Sequence, residues 1–186
     1  DPALRPPRQA DTQRLGSRRA NSASAEGLPL PPPRVHHSHS SDGAFSADAA
    51  AALANDLRQQ VKGEVCFDDG SRALYATDGS IYRQVPIGVV MPRDVDDVLA
   101  VLRICTAHNA PVLSRGGGTS LAGQCCNTAV VMDFSRHLDR IVAIDVDAQR
   151  AKVEPGCVLD DLRDAAEEHH LTFGPDPSTH AHNTLG

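Results

Sequence analysis

The stretch Arg115-Gly-Gly-Gly-Thr-Ser-Leu-Ala-Gly-Gln124 decides how this chain is interpreted, and it follows the short apolar run 110–113 directly. Glycines carry no side chain, so the backbone N–H groups of 116–118 can approach a ligand closely. Successive N–H groups in such a turn form an anion-binding concavity, and Arg115 adds a fixed positive charge beside them. The stretch therefore predicts a loop that binds a phosphate or pyrophosphate, with a flexible surface loop as the alternative.

Two better-known phosphate loops do not fit this stretch. The dinucleotide-binding spacing G-x-G-x-x-G needs glycine or alanine at position 121, where this chain has Leu121. The spacing Gly118-x-x-x-x-Gly123 matches the first part of a P-loop, but Gln124 and Cys125 stand where Lys and Ser/Thr are required. Without the lysine and the magnesium-binding hydroxyl, a nucleoside triphosphatase is disfavoured.

Composition and charge limit the function classes. The 186 residues amount to one domain or to part of a larger protein, and with 40% hydrophobic but only 3% aromatic residues the core must be built from Val, Leu, Ile and Ala. Residues 1–42 carry six Arg against four acids, whereas residues 43–186 carry twelve Lys/Arg against twenty acids. Such an acidic body lacks the basic footprint of a nucleic-acid-binding domain, so no nucleic-acid partner is expected.

The five cysteines are odd in number and form no C-x-x-C motif. Neither a zinc knuckle nor a thioredoxin-type pair is indicated, and reduced thiols in the cytoplasm are the simplest account. No run approaches the roughly 20 apolar residues that span a membrane, although peripheral association with the inner membrane would leave no mark here. His36, His37 and His39 resemble a metal-binding cluster, but in a tail they are interpreted as incidental, so no metal site is predicted.

Three segments are expected along the chain. Residues 1–42, rich in Pro, Ser and Arg, predict a disordered tail because they cannot bury enough apolar surface. Residues 43–63 predict an N-terminal helix that begins after Ser46 and ends near Gly63. Residues 64–186 predict a single domain that is incomplete at its C-terminus, since the chain stops in what looks like a glycine turn.

The first half of this domain predicts a small parallel α/β unit. A short strand is expected at 64–67, an irregular segment at 75–86, and buried strands at 87–91 and 111–113. Between the last two strands, Asp94 caps a helix that reaches Asn109, and its apolar face is expected to comprise Val95, Val98, Leu99, Leu102 and Cys105. A strand–helix–strand unit of this length predicts that the two flanking strands are parallel neighbours.

The second half predicts an antiparallel unit. Residues 129–133 are extended, and 140–146 with 151–154 predict a hairpin around a polar turn. A helix over 158–170 follows, with Leu159, Leu162 and Ala166 on one face. The fold class is therefore α+β, with the glycine-rich loop at the junction of the parallel α/β unit and the antiparallel unit.

Four stretches, in this order, resemble the FAD-binding domain of the vanillyl-alcohol oxidase/PCMH superfamily, in its D-lactate/glycolate dehydrogenase-like branch. They are Pro86-Ile-Gly-Val-Val-Met-Pro92 with the helix after it, Arg115–Gln124, Val153-Glu-Pro-Gly-Cys157, and Gly174-Pro-Asp-Pro-Ser-Thr179 with Asn183-Thr-Leu-Gly186. Each stretch alone is weak, but the ordered set covers about two-thirds of the chain. The resemblance implies a two-subdomain PCMH-type fold, of which this chain is an N-terminal part.

The resemblance also assigns a cofactor site. It implies that the FAD pyrophosphate is wrapped, mainly through backbone N–H groups, by Arg115, Gly116, Gly117, Gly118, Thr119, Ser120, Gly123 and Gln124. It further implies that Pro175, Asp176 and Thr179 line the cofactor and that Thr184 and Gly186 begin another flavin-contacting turn; from the residues alone, 174–179 is a stiff structural loop. Some superfamily members attach flavin through a histidine in the glycine loop, where this chain has Thr119, so noncovalent FAD is expected.

The residues 176–186 resemble the branch whose flavin domain is fused to a C-terminal iron–sulfur module. That implies oxidation of a D-2-hydroxy acid of the lactate, glycolate or 2-hydroxyglutarate type by hydride transfer to FAD, with an iron–sulfur cluster beyond Gly186. The family's catalytic groups lie on a later substrate domain, so no catalytic residue is assigned, and the electron acceptor stays open. Two alternatives remain, a non-catalytic flavin-binding subunit of a multi-chain oxidase and a phosphate-binding domain without flavin.

Overall fold

The structure, a computed structural model, describes residues 45–186. The predicted tail at 1–42 and the histidines at 36, 37 and 39 lie outside the described residues. The expected N-terminal helix is present as α1 (Ala47–Gln60), and the Ser46 side chain caps it by accepting a hydrogen bond from the Ala49 N–H at 3.1 Å. Its buried residues, Leu53, Ala54 and Leu57, face the core.

A four-stranded sheet forms the first unit. Its strands are β1 (Glu64–Cys66), β2 (Gly88–Met91), β3 (Val112–Arg115) and β4 (Val130–Asp133), in the spatial order β1-β2-β4-β3. Strands β2, β4 and β3 are parallel, and β1 is antiparallel to β2. Since this sheet is covered by helices, its central strands are continuous apolar runs.

The predicted pairing of the two strands that flank α3 (Val95–Ala107) was wrong. Strands β2 and β3 are parallel, as expected, but β4 lies between them and pairs with both. All four residues of β4 are buried, so the most buried strand lies inside the sheet, between β2 and β3. The crossover through α3 therefore leaves room for one strand between β2 and β3. After the glycine-rich loop, the chain returns and β4 occupies this place.

The predicted apolar face of α3 was also wrong in part. Val95, Leu99 and Leu102 are 66%, 53% and 42% exposed, whereas Cys105 is buried together with Asp97, Ala100, Val101 and Ile104. The Asp97 carboxylate sets this rotation of the helix. It is 1% exposed and accepts hydrogen bonds from three backbone N–H groups, those of Lys62, Gly63 and Arg93, at 2.9–3.0 Å.

A short helix, α2 (Asp69–Leu74), was not predicted. Asp68 caps it by accepting from the Ser71 N–H at 2.9 Å, but Gly70 and the lack of any buried residue leave no amphipathic signal in the sequence. The segment that follows is irregular, as expected, apart from an isolated bridge between Thr77 and Arg83.

The hairpin and helix of the second unit agree with their prediction, but the extended segment 129–133 that was grouped with them forms β4 of the first sheet, so the glycine-rich loop connects two strands of the first unit. Strands β5 (Ile141–Asp145) and β6 (Arg150–Val153) form an antiparallel hairpin, and α4 (Leu159–Glu167) buries Leu159, Leu162 and Ala166. Residues 183–186 run antiparallel to 155–159 and form a bridge between Val158 and Thr184. This pairing brings the last residues of the chain back towards the glycine-rich loop.

Candidate cofactor site

The glycine-rich loop, residues 116–124, begins where β3 ends. Arg115 is the last residue of β3 and pairs in register with Asp133 of β4, so the loop lies at the carboxyl end of the parallel strands. Ligands of open α/β sheets bind at this end. Gly118 and Gly123 have φ values of 67° and 80°, a left-handed conformation that explains glycine at both positions.

A row of backbone donors in the loop has no acceptor among residues 45–186. Within residues 45–186, none of the N–H groups of 116–121 donates a hydrogen bond, whereas the Ala122 N–H donates to Gln124 Oε1 at 3.2 Å and the Cys125 N–H to Asp78 Oδ2 at 3.2 Å. Backbone N–H groups in folded proteins rarely stay unpaired unless solvent or a ligand accepts from them. Six successive donors therefore fit an anionic group such as a diphosphate.

Two neighbouring segments pack directly on the loop. The Gly79 N–H donates to the Gly118 carbonyl at 2.9 Å, which fixes the turn at 78–80 against it. On the other flank, a Cβ at Gly116 would overlap the Thr184 hydroxyl, and one at Gly117 would overlap the His182 carbonyl. Glycine is therefore needed at 116 and 117 for packing as well as for access to a ligand.

The structure brings Thr184 to the loop but places Gly186 elsewhere. Thr184 is positioned by the pairing of 183–186 with 155–159, in which the Leu185 N–H donates to the Cys157 carbonyl at 3.0 Å. Gly186 lies against Pro155, and its N–H donates to the Pro155 carbonyl at 2.9 Å. Of the two predicted flavin-contacting residues in this turn, Thr184 is the one that touches the glycine-rich loop.

The predicted residues at 175–179 are held by α4. The Arg163 guanidinium donates to the Pro175 carbonyl at 2.7 Å and pairs with the Asp176 carboxylate at 2.9 Å. The Thr179 carbonyl accepts from the N–H groups of His182 and Asn183, which closes the turn that leads to the loop. Pro175 and Asp176 are exposed on the α4 side. They are therefore connected to the glycine-rich loop only along the chain, through the segment 179–184.

His180 is exposed and bonded to α4. Its Nδ1 lies 2.7 Å from Asp160 Oδ2, in the first turn of the helix. His182 is exposed too, and its carbonyl is the atom that packs on Gly117. Both histidines therefore have a part in holding the segment that borders the loop.

The Arg115 side chain binds protein atoms on either side of the loop. Its Nη1 donates to the Cys125 carbonyl at 3.1 Å and to the Tyr75 carbonyl at 3.4 Å, and its Cζ lies 5.2 Å from the centre of the Tyr75 ring. A Cβ at Gly118 would come within 2.6 Å of Arg115 Nη2. The guanidinium is therefore packed on the loop backbone.

Sequence reasoning missed the buried carboxylate next to Arg115. Asp133 is 4% exposed and accepts from the Tyr75 hydroxyl at 2.6 Å, the Ser135 N–H at 2.8 Å and the Ser135 hydroxyl at 2.7 Å. Burial, followed by the hydrogen bond to Asp133, raises the pKa of the Tyr75 phenol above its ordinary value. The available signal was an acidic residue directly after the apolar run 130–132.

The two adjacent cysteines behind the loop have different surroundings. Cys126 is buried, and burial raises the pKa of its thiol. Cys125 is half-buried, with its Sγ 3.1 Å from the Ser120 hydroxyl oxygen. The thiol of Cys125 is therefore in contact with a residue of the loop.

Two clefts elsewhere on the molecule are not lined by the predicted cofactor residues. A cleft of about 710 Å³ lies between α1 and the segments around Phe67 and Pro86, and one of about 320 Å³ lies between the hairpin and α4. In residues 45–186, no group of three or more His, Cys, Asp or Glu side chains is placed to hold a metal ion. No helix in this part of the chain has the length and apolar character to cross a bilayer.

Comparison with known proteins identifies similar sequences. A family described as FAD binding domain matches residues 86–186. The chain is 37% identical over 131 residues to a D-2-hydroxyglutarate dehydrogenase of Pseudomonas putida and 36% identical over 142 residues to the glycolate oxidase subunit GlcD of Bacillus subtilis. These alignments cover 67% and 72% of this chain, but 13% and 30% of the relatives.

A solved structure shares the fold. The crystal structure of p-cresol methylhydroxylase with substrate bound superposes with a TM-score of 0.59 and 20% identity, over 68% of this chain and 26% of that one. This chain therefore has the fold found in part of that protein, a PCMH-type fold. With more than half of its residues matched, this chain belongs to the family described as FAD binding domain.

Proposed function

We propose that this chain is the FAD-binding part of a flavin-dependent oxidoreductase that oxidises a D-2-hydroxy acid of the lactate, glycolate or 2-hydroxyglutarate type. The observation that carries the cofactor site is the row of six backbone N–H groups, 116–121, that donate to no acceptor within residues 45–186. The substrate class follows from the relatives, whose names are D-2-hydroxyglutarate dehydrogenase and glycolate oxidase subunit GlcD.

In this proposal the loop binds the pyrophosphate of FAD through its backbone. The N–H groups of Gly116, Gly117, Gly118, Thr119 and Ser120 donate to phosphate oxygens, while Gly123 and Gln124 close the loop. A concavity of fixed N–H dipoles stabilises a dianion without a conformational cost at the moment of binding. Glycine at 116 and 117 lets the segment at 182–184 lie directly against the loop, so Thr184 borders the bound cofactor.

The second unit would complete the cofactor site through the turn at 179–184. Arg163 holds Pro175 and Asp176, and Thr179 closes the turn whose last residues contact the loop. Gly186 would lead into the next flavin-contacting segment. When bound, FAD supplies the hydride-accepting chemistry, and the residues of this chain bind and orient the cofactor. We assign no catalytic residue to this chain.

FAD is held noncovalently in this proposal, since Thr119 has no nucleophilic nitrogen to attach it. Acid precipitation of the holoprotein is expected to release all of the yellow colour into the supernatant. Colour that stays with the precipitate would show a covalent link elsewhere and would contradict the proposal.

A non-catalytic flavin-binding subunit of a multi-chain oxidase is the second candidate. One relative, GlcD, is itself named a subunit. The five cysteines in residues 45–186 are all free thiols, which supports a cytoplasmic setting for either candidate. Reduction of the flavin by D-2-hydroxy acids in the isolated full-length protein would favour the enzyme, and reduction only in the presence of a partner chain would favour the subunit.

The pyrophosphate site is tested by two variants of the full-length protein that differ only in charge. Thr119→Asp places a carboxylate among the free N–H groups, while Thr119→Asn has nearly the same shape without the charge. Repulsion of the diphosphate is expected to weaken FAD binding at least about tenfold in Thr119→Asp, a difference of about 1.4 kcal/mol, and much less in Thr119→Asn. Titration of the FAD-free protein, followed by flavin absorbance, measures both values.

The exposed Ala148 in the hairpin turn provides a control for surface charge, since it lies outside the proposed cofactor site. Ala148→Asp is expected to bind FAD like the wild type. Equal affinities of Thr119→Asp and Thr119→Asn would place the diphosphate elsewhere and would refute the proposed site.

A further inference from the structure

We propose that Arg115 is a positioning residue of the FAD site, which shapes the glycine-rich loop for binding and leaves the pyrophosphate to the backbone N–H groups. This inference rests on the cofactor site proposed above. An arginine beside a phosphate-binding loop is ordinarily expected to supply charge to the ligand. The contacts of Arg115 indicate a different task.

The Arg115 side chain ties the two ends of the loop together. Arg115 is the last residue of β3, directly before the loop. Its Nη1 donates to the carbonyl of Cys125, directly after the loop, at 3.1 Å. One side chain thus closes a ten-residue excursion of the chain. Holding the ends together removes conformational freedom that the loop would otherwise lose when the ligand binds.

Tyr75 fixes the guanidinium from a third segment. The same Nη1 donates to the Tyr75 carbonyl at 3.4 Å, and the guanidinium carbon lies 5.2 Å from the centre of the Tyr75 ring. Asp133, the register partner of Arg115 in β4, holds that ring by accepting from its hydroxyl at 2.6 Å. The nearest buried carboxylate therefore orients Tyr75 and is not paired with Arg115.

The guanidinium also packs on the loop backbone itself. Gly118 adopts a left-handed φ of 67°, and a Cβ there would come within 2.6 Å of Arg115 Nη2. The planar group thus fills the space next to the residue at the centre of the free N–H row. Lysine could keep the positive charge but could not donate to two carbonyls and stack on the ring from one rigid plane.

The test compares Arg115→Lys and Arg115→Met in the full-length protein. If Arg115 positions the loop, both variants lose the closure, and both are expected to bind FAD about tenfold or more weakly, within threefold of each other. If Arg115 acts through charge, Arg115→Lys keeps most of the affinity and only Arg115→Met loses it. Arg140→Met, which breaks an ion pair with Glu154 on the hairpin, is the control for removal of an arginine.

A second readout needs no cofactor. The Gly79 N–H donates to the Gly118 carbonyl, the Cys125 N–H to Asp78, and the Cys126 N–H to the Gly123 carbonyl. In FAD-free protein, hydrogen exchange at these three amides is expected to accelerate at least about fivefold in both Arg115 variants and to stay unchanged in Arg140→Met.

Unchanged exchange, together with an Arg115→Lys protein that binds FAD like the wild type, would overturn the positioning role and leave the proposed FAD site intact. Wild-type protein that binds no FAD would instead refute the proposed function, while the exchange comparison would still decide the role of Arg115. Should Arg115→Met not fold, Tyr75→Leu removes the stacked ring without changing any charge, and the same acceleration is expected there.

Discussion

The carbonyl oxygen of His182 lies against the Cα of Gly117 and occupies the place that a side chain would need. The C-terminal segment of the chain and the glycine-rich loop are therefore in direct backbone contact. Any change at one of them is transmitted to the other without an intervening side chain.

Gly117→Ala is expected to lower the free energy of unfolding by about 1–3 kcal/mol, because its methyl group overlaps the His182 carbonyl and forces two segments apart. Gly174→Ala is the matched control, since the same methyl group there would meet no neighbour. Chemical denaturation of both variants measures the difference. Equal stabilities would show that the loop and the segment at 182–184 are not packed as described.

Asp97→Asn is expected to destabilise the fold by about 1–3 kcal/mol, since an amide NH₂ would replace one of the oxygens that accept from the N–H groups of Lys62, Gly63 and Arg93. Asp96→Asn, on the exposed side of the same helix turn, is the control and should have little effect. Urea unfolding monitored by circular dichroism compares the two. A stable Asp97→Asn protein would mean that the carboxylate does not fix the rotation of α3.

Acid is expected to weaken the hairpin unit through Glu154. The side-chain hydrogen bond from Arg140 holds the pKa of Glu154 below its ordinary value. A group with a depressed folded-state pKa contributes stability above its unfolded pKa and loses it as the pH falls through the folded pKa. The thermal midpoint should therefore drop on acidification, and Glu154→Gln should flatten this dependence. A Glu167→Gln control at the exposed end of α4 should retain it.

Alkylation should distinguish the cysteines of the native protein. Cys125 is half-buried beside Ser120, whereas Cys105 is buried and its burial raises the pKa of the thiol to about 11. At neutral pH, Cys125 is expected to react with iodoacetamide well before Cys105, and saturation with FAD is expected to slow the reaction of Cys125. Mass spectrometry of tryptic peptides gives both rates. Equal labelling of Cys125 with and without FAD would contradict a cofactor at this loop.

The elements with a strong periodic or capping signal could be predicted from the sequence. Ser46 and Asp94 both cap the helices they were expected to cap, and Leu159, Leu162 and Ala166 form the buried face of α4. The glycine-rich loop was recognised because glycine at consecutive positions has few structural causes. The position of these glycines at the carboxyl end of a parallel strand also followed from the sequence.

The remaining features depend on partners that are distant in the chain. Nothing near Asp97 shows that its carboxylate accepts from residues 62 and 63, so the buried face of α3 could not be assigned from its own apolar positions. The strand order likewise depends on β4, a segment outside the strand–helix–strand unit. The binding contacts of all the predicted site residues with FAD, at 115–124 as well as at 175–186, stay a prediction.

The place of β4 between β2 and β3 has a consequence for how the molecule folds. The two earlier strands do not pair with each other in the final sheet, so we expect the parallel sheet to be completed only when residues 130–133 are inserted between them. Insertion of the central strand also brings the ends of the segment 116–129 together, and this segment contains the glycine-rich loop. Completion of the sheet and formation of the loop should therefore be one cooperative event, late in the folding of this unit.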